Sequence, residues 1–119
     1  MSQLTKIYDL EERTAKFGEE VIEFCRKVKQ DIISEPIISQ LVRSATSVGA
    51  NYMEANAASS KKDFRNKIFI CKKEAQETKH WLRMMIKCVS KENIEIKKLT
   101  QECQELTMIF QKITSSLAA

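Results

Sequence analysis

Residues 93–117 read NIEIKKLTQECQELTMIFQKITSSL. Within them Ile96, Leu99, Cys103, Leu106, Phe110, Ile113 and Leu117 follow one another at steps of three or four. That repeat gathers apolar side chains on one face of a helix, whereas a strand would need alternation at every second residue. A helix is therefore expected over about 93–117. Moving toward the N-terminus, Phe64, Ile68, Cys71, Ala75, Thr78, Leu82, Met85 and Val89 keep the same four-three alternation, which predicts a longer helix over about 61–89. Ser60 with Asp63 resembles its N-terminal cap, and the small, polar stretch 56–60 breaks it from the segment before.

That earlier segment, about 36–55, carries Ile38, Leu41, Ala45, Val48 and Tyr52 on one stripe, with Val42, Gly49 and Met53 beside it. Pro36 suits a first helical turn, where the missing N–H would be unpaired anyway. Gly49 is out of place in a helix interior, at a cost of about 1 kcal/mol relative to alanine. Close backbone approach to a neighbouring helix, helped by the small Ala45, is the expected compensation. A first helix over about 10–29 follows from Phe17, Val21, Phe24 and Val28, with Asp9 and Glu12 resembling a capping box. Four amphipathic helices with short linkers must mostly pack beside their neighbours in sequence. The expected fold is all-α, an antiparallel up-down-up-down four-helix bundle forming a single domain over residues 1–119.

Composition agrees. The 119 residues include two Gly and one Pro, too few turn formers for a fold of many short strands. The first 25 residues carry Asp9, Glu11, Glu12, Glu19, Glu20 and Glu23 where a secretory leader would be basic and then apolar, so a cytoplasmic chain with no membrane partner is expected. Cys25, Cys71, Cys88 and Cys103 lie far apart within helical patterns and read as reduced core residues.

Charge is distributed unevenly. Residues 1–60 hold seven basic and nine acidic side chains, residues 61–91 ten and three, and residues 92–119 three and four. The formal net charge of +4 is thus a local property of the third helix. On a helical wheel, nine of its ten cations fall on one flank, roughly 60–180° from the core stripe. They are Lys61, Lys62, Arg65, Lys72, Lys73, Lys79, Arg83, Lys87 and Lys91, and Asp63, Glu74 and Glu77 occupy the other flank. A charged flank can be simply a solvated one; it is also what a phosphate-tracking surface requires, because lysine and arginine rows gain affinity by releasing counterions. Phe69 and His80 project into the basic flank, where they can stack on bases or equally pack against a loop or a second subunit. Ile70 and Trp81 lie on the acidic flank, away from the predicted core, and mark an expected self-association interface, the alternative being burial beneath the second helix or in a wider core stripe.

Catalytic patterns are missing. Glu77 and His80 have the Glu-x-x-His spacing of a di-iron bundle, but such a site needs a second copy and this chain has one histidine. No metal site or cofactor is expected. A single exposed imidazole supports no nucleophile–base pair, and the positions that would hold the arginine of an Arg-x4–6-His ribonuclease are Lys73, Glu74 and Ala75.

Three blocks carry a resemblance over nearly the whole chain. They are Leu41-Val42-Arg43-Ser44-Ala45-Thr46-Ser47-Val48-Gly49-Ala50-Asn51-Tyr52-Met53-Glu54-Ala55, then Ser60-Lys61-Lys62-Asp63-Phe64, then Lys73-Glu74-Ala75-Gln76-Glu77-Thr78-Lys79-His80-Trp81-Leu82. The chain resembles the bacterial four-helix-bundle family that includes proteins encoded in intervening sequences of 23S ribosomal RNA genes. It departs from that family at Asn56, where many members have glycine. The resemblance implies a bundle that assembles into a homo-oligomeric ring, a pentamer. The family is also similar to accessory proteins of diversity-generating retroelements, basic barrels that engage a reverse transcriptase and nucleic acid; by that analogy the third-helix cations are the contact surface.

Taken together, a non-enzymatic, oligomeric nucleic-acid-binding protein is expected, with RNA preferred over DNA. The alternative is a protein-interaction scaffold or self-assembling structural protein whose charged face meets an acidic partner. Arg43, Ser47, Asn51 and Glu54 on the second helix, with Glu74 and Glu77 on the third, are expected to form a structural polar network that fixes register between helices or across a subunit boundary.

Overall fold

Apolar stripes at helical spacing have to be covered, and in the computed structural model, which describes residues 9–117, four helices cover one another. They are α1 (Leu10–Arg26), α2 (Ser34–Asn56), α3 (Lys61–Met85) and α4 (Ile94–Ser116), with a 3-10 turn at Ile86–Cys88. No strand occurs among the described residues. Each helix packs on its neighbour in sequence, and α1 closes the bundle against α4. Pairings run antiparallel throughout: Lys72 meets Gln111 while Lys79 meets Gln104, and Arg43 meets Glu77 while Glu54 meets Lys67. The resulting rod measures 46 × 22 × 21 Å.

Its axis is filled by the stripes read from the sequence. Phe17, Leu41, Val48, Ile68, Leu82, Leu106, Phe110 and Ile113 are all at most 1% exposed. Buried hydroxyls are satisfied locally, as where Thr14 donates to the Leu10 carbonyl at 2.6 Å and Thr78 to that of Glu74 at 2.7 Å. Cys25, Cys71 and Cys103 are buried and unbridged, and Cys88 is half-buried. Burial pushes the Cys25 thiol up to about 11 and those of Cys71 and Cys103 up to about 12, as expected of thiols used for packing.

Gly49 sits where α1 and α2 approach closely: a β-carbon there would lie 3.4 Å from Thr14 Oγ1 and 3.5 Å from its backbone. Gly18 faces back across the same seam, with Thr46 Cα 3.6 Å from its would-be β-carbon. A methyl group fits at either position, but a longer side chain would wedge the two helices apart.

Helix ends depart from the sequence reading in four places. α1 stops at Arg26, not Lys29, and a turn that bonds Lys27 and Val28 N–H to Phe24 and Cys25 carbonyls still buries Val28. At the start of α1 the expected capping box is absent: Asp9 is left-handed at φ 46°, a conformation aspartate tolerates, and its carbonyl, not its carboxylate, receives the Arg13 N–H at 3.0 Å. α2 begins at Ser34, not Pro36, because Asp31 and Ser34 form a reciprocal cap. The Asp31 carboxylate accepts from Ser34 N–H at 2.8 Å, and Ser34 Oγ accepts from Asp31 N–H at 2.9 Å. The backbone N–H groups of Ser34 and Ile33, both donating to it, hold the Asp31 carboxyl below its ordinary range. Pro36 nevertheless lies in the first turn. Finally, α3 tightens into the 3-10 turn after Met85, leaving Val89 extended rather than helical. The caps at Ser60, whose Oγ accepts from Asp63 N–H at 3.0 Å, and at Asn93, whose Oδ1 accepts from Ile96 N–H at 3.0 Å, start α3 and α4.

Candidate nucleic-acid interface

The core stripe of α3 has two flanks, and the bundle gives each a different neighbour. Glu74, Glu77 and Lys67 turn toward α2. Arg43 reaches across from α2 to pair with Glu77 and, at 3.5 Å, with Glu74, whose side chain is 13% exposed. Trp81 Nε1 also donates to Glu77, at 3.1 Å, and Lys67 pairs with Glu54 of α2 at 2.9 Å. The Glu54 carboxylate holds the Lys67 ammonium above its ordinary range. Beneath these ion pairs a buried hydrogen bond of 2.9 Å joins the Thr78 and Ser44 hydroxyls.

Of the six polar residues expected to form one network, Arg43, Glu74 and Glu77 come together, and Glu54 pairs separately with Lys67. Ser47 and Asn51 join neither group. Each donates instead to a carbonyl of its own helix, Ser47 to Arg43 and Asn51 to Ser47, both at 2.8 Å.

On the other flank α3 faces α4. Lys72 donates to Gln111 Oε1, and Lys79 to Gln104 Oε1 at 2.5 Å. Both acceptors are neutral amides, so the lysines are oriented without losing their charge. Arg65 lays its guanidinium over the Phe69 ring, 4.7 Å from the centroid, and its buried Nε has no hydrogen-bond partner among the described residues. Lys61, Lys62, Lys73, Arg83, Lys87 and Lys91 are exposed. Among the described residues none of the nine cations read from the sequence takes part in a salt bridge, whereas Lys67, the tenth, does.

The carboxylates of α4 explain this. Glu102 and Glu105 turn the opposite way, toward α1, where Arg13 grips Glu102 through two 2.7 Å hydrogen bonds and reaches Glu105 at 2.9 Å. The Glu102 hydrogen bonds are the main cause holding the Arg13 guanidinium above its ordinary range. Glu95 likewise pairs with Lys27 at the end of α1, at 2.8 Å. What remains on the α3 side of α4 is uncharged over Thr100, Gln104 and Gln111, with Lys97 adding a cation at one end.

Between α3 and α4 run two adjoining hollows of about 420 and 410 Å³ that share Lys79, Ile86 and Thr100. His80 and Arg83 line one, and Gln104 and Lys97 the other. A reading of α3 alone could not supply Thr100, Gln104, Gln111 or Lys97, since none belongs to a charge cluster. The signal available was the absence of acids on one edge of α4.

The expected interface pair separates. Ile70 is 37% exposed on the α2 side of α3, but Trp81 is half-buried, packed against the core and edge-on to His80 at 4.9 Å. The wheel set Trp81 apart from the core by angle; the indole is long enough to reach the core's edge from there. His80 stays exposed, and among the described residues no group of side chains is placed to hold a metal ion. No helix among those residues is long and apolar enough to cross a membrane.

Comparison with known proteins agrees with this architecture. The crystal structure of a protein of unknown function from the S23 ribosomal protein family of Bacteroides thetaiotaomicron is similar, with a TM-score of 0.74 and 27% identity, covering 88% of this chain and 97% of that one. No match was found among curated proteins. Residues 7–112 match the 23S rRNA-intervening sequence protein family, and the chain belongs to that family.

Proposed function

We propose that this protein binds nucleic acid, RNA by preference, through the α4-facing flank of α3, and that it does so without catalysing a reaction. One observation carries the reading: among the described residues no carboxylate forms a salt bridge with any of the nine cations, of which seven stand on α3, Lys87 in the 3-10 turn and Lys91 in the loop beyond it. Sixteen acidic residues were available. Those on α4 that form ion pairs are drawn to α1, and two of the three on α3 are drawn to α2. Maintaining uncompensated positive charge on one face raises the self-repulsion of the folded state, and a polyanion that displaces condensed counterions relieves it. The family's description, which ties it to 23S rRNA, favours RNA over DNA. Self-association through the exposed Ile70 belongs to the same reading.

Titrating labelled RNA at about 50 and about 200 mM salt tests it, because each phosphate contact adds close to one unit of log–log salt dependence. Affinity is expected to fall on the order of 100-fold between the two conditions, and the triple variant Lys72→Glu, Lys79→Glu, Arg83→Glu is expected to abolish binding while melting as the parent does. Weighing the same samples in solution reads the oligomer. Absence of binding at the lower salt contradicts the reading and favours a protein-interaction scaffold.

A further inference from the structure

The shape and chemistry of the α3–α4 trough go beyond a requirement for negative charge. We infer that its occupant is a single RNA strand, with phosphates along the cations of α3 and bases turned toward the amides of α4. This rests on the nucleic-acid reading above and narrows it.

The two walls of the trough differ in kind. α3 supplies Lys79 and Arg83, while α4 supplies Thr100 and Gln104; farther along the same seam Lys72 meets Gln111. Side-chain amides both donate and accept, as base edges do, and carry no charge to draw in a second phosphate backbone. A duplex hides those edges inside its base pairs and presents phosphates from two strands, so it would need cations on both walls. Here only Lys97, at one end, adds charge to the α4 side.

Stacking surfaces point the same way. Phe69 is 39% exposed with the Arg65 guanidinium against its ring, and His80 is exposed at the rim of the trough. Flat rings and guanidinium planes of this sort engage bases that have left the stack, which only an unpaired strand offers. Ile86, which is 41% exposed, gives both hollows an apolar lining. It suits the face of a base and not a hydrated phosphate.

The test compares one dye-labelled, non-self-complementary RNA of about 20 nucleotides, free and annealed to its complement, by fluorescence anisotropy at one salt concentration. The single strand is expected to bind at least about 10-fold tighter than the duplex. The double variant Phe69→Leu, Gln104→Leu keeps every cation; it is expected to weaken single-strand binding several-fold or more, leaving duplex binding and thermal melting unchanged. Duplex binding as tight as single-strand binding would overturn the inference while leaving the nucleic-acid reading intact, and so would an equal loss for both forms in the double variant. If neither form binds at the lowest salt, it is the parent reading that fails.

Discussion

α3 carries charges on both flanks, and they are used in opposite ways. On the α2 side Arg43 is set against Glu74 and Glu77, and Lys67 against Glu54, so nearly every charge has a partner of opposite sign within the chain. On the α4 side the cations meet glutamine, an aromatic ring or solvent. The first arrangement fixes which helices are neighbours and in what register. The second contributes little to folding and leaves the charge available to something outside the chain. A count of charged residues along α3 cannot separate the two roles; the identity of the facing helix does.

The comparison can be broken most severely on the α2 side. Arg43→Leu leaves Glu74 and Glu77 facing each other without a cation, and because Glu74 is largely enclosed the loss of stability is expected at about 1–3 kcal/mol, read by urea unfolding. A smaller effect of opposite sign sharpens the contrast. Gln104→Glu with Gln111→Glu installs the acids that the α4 wall lacks, opposite Lys79 and Lys72. Each new pair is expected to stabilise the fold by about 0.2–1 kcal/mol, while RNA affinity falls. Smallest of all, Lys73→Leu removes an exposed cation with no salt bridge among the described residues, and stability is expected to stay within about 0.5 kcal/mol of the parent in the same unfolding measurement.

Much of the architecture was legible because the core repeats are uninterrupted. Phe64 through Leu82 on α3 and Ile96 through Ile113 on α4 are buried where the three-four spacing put them, and Gly49 does mark the close approach of α1 and α2. Helix ends were harder to read, since they depend on hydrogen bonds that periodicity does not encode. The cap that starts α2 is made by Asp31 and Ser34, ahead of the proline that draws attention, and Asp9 adopts a left-handed turn in place of a capping box.

For the interface, Lys67, the one cation that the wheel set apart from the other nine, pairs with Glu54. Missing was any account of α4, because a surface defined by uncharged glutamines and by carboxylates turned elsewhere leaves no cluster to notice. Trp81 packs against the core, the other course open to it, for a geometric reason. Angular position says where a side chain leaves the helix, and a large indole can still reach the core's edge from an off-axis start.

Lysine acetylation by an amine-reactive ester, followed residue by residue by mass spectrometry with and without bound single-stranded RNA, tests the division between the flanks most directly. RNA is expected to protect Lys72, Lys79 and Lys87 while the labelling of Lys16, Lys29 and Lys67 stays unchanged. Protection spread evenly over all six, or confined to the last three, would contradict it.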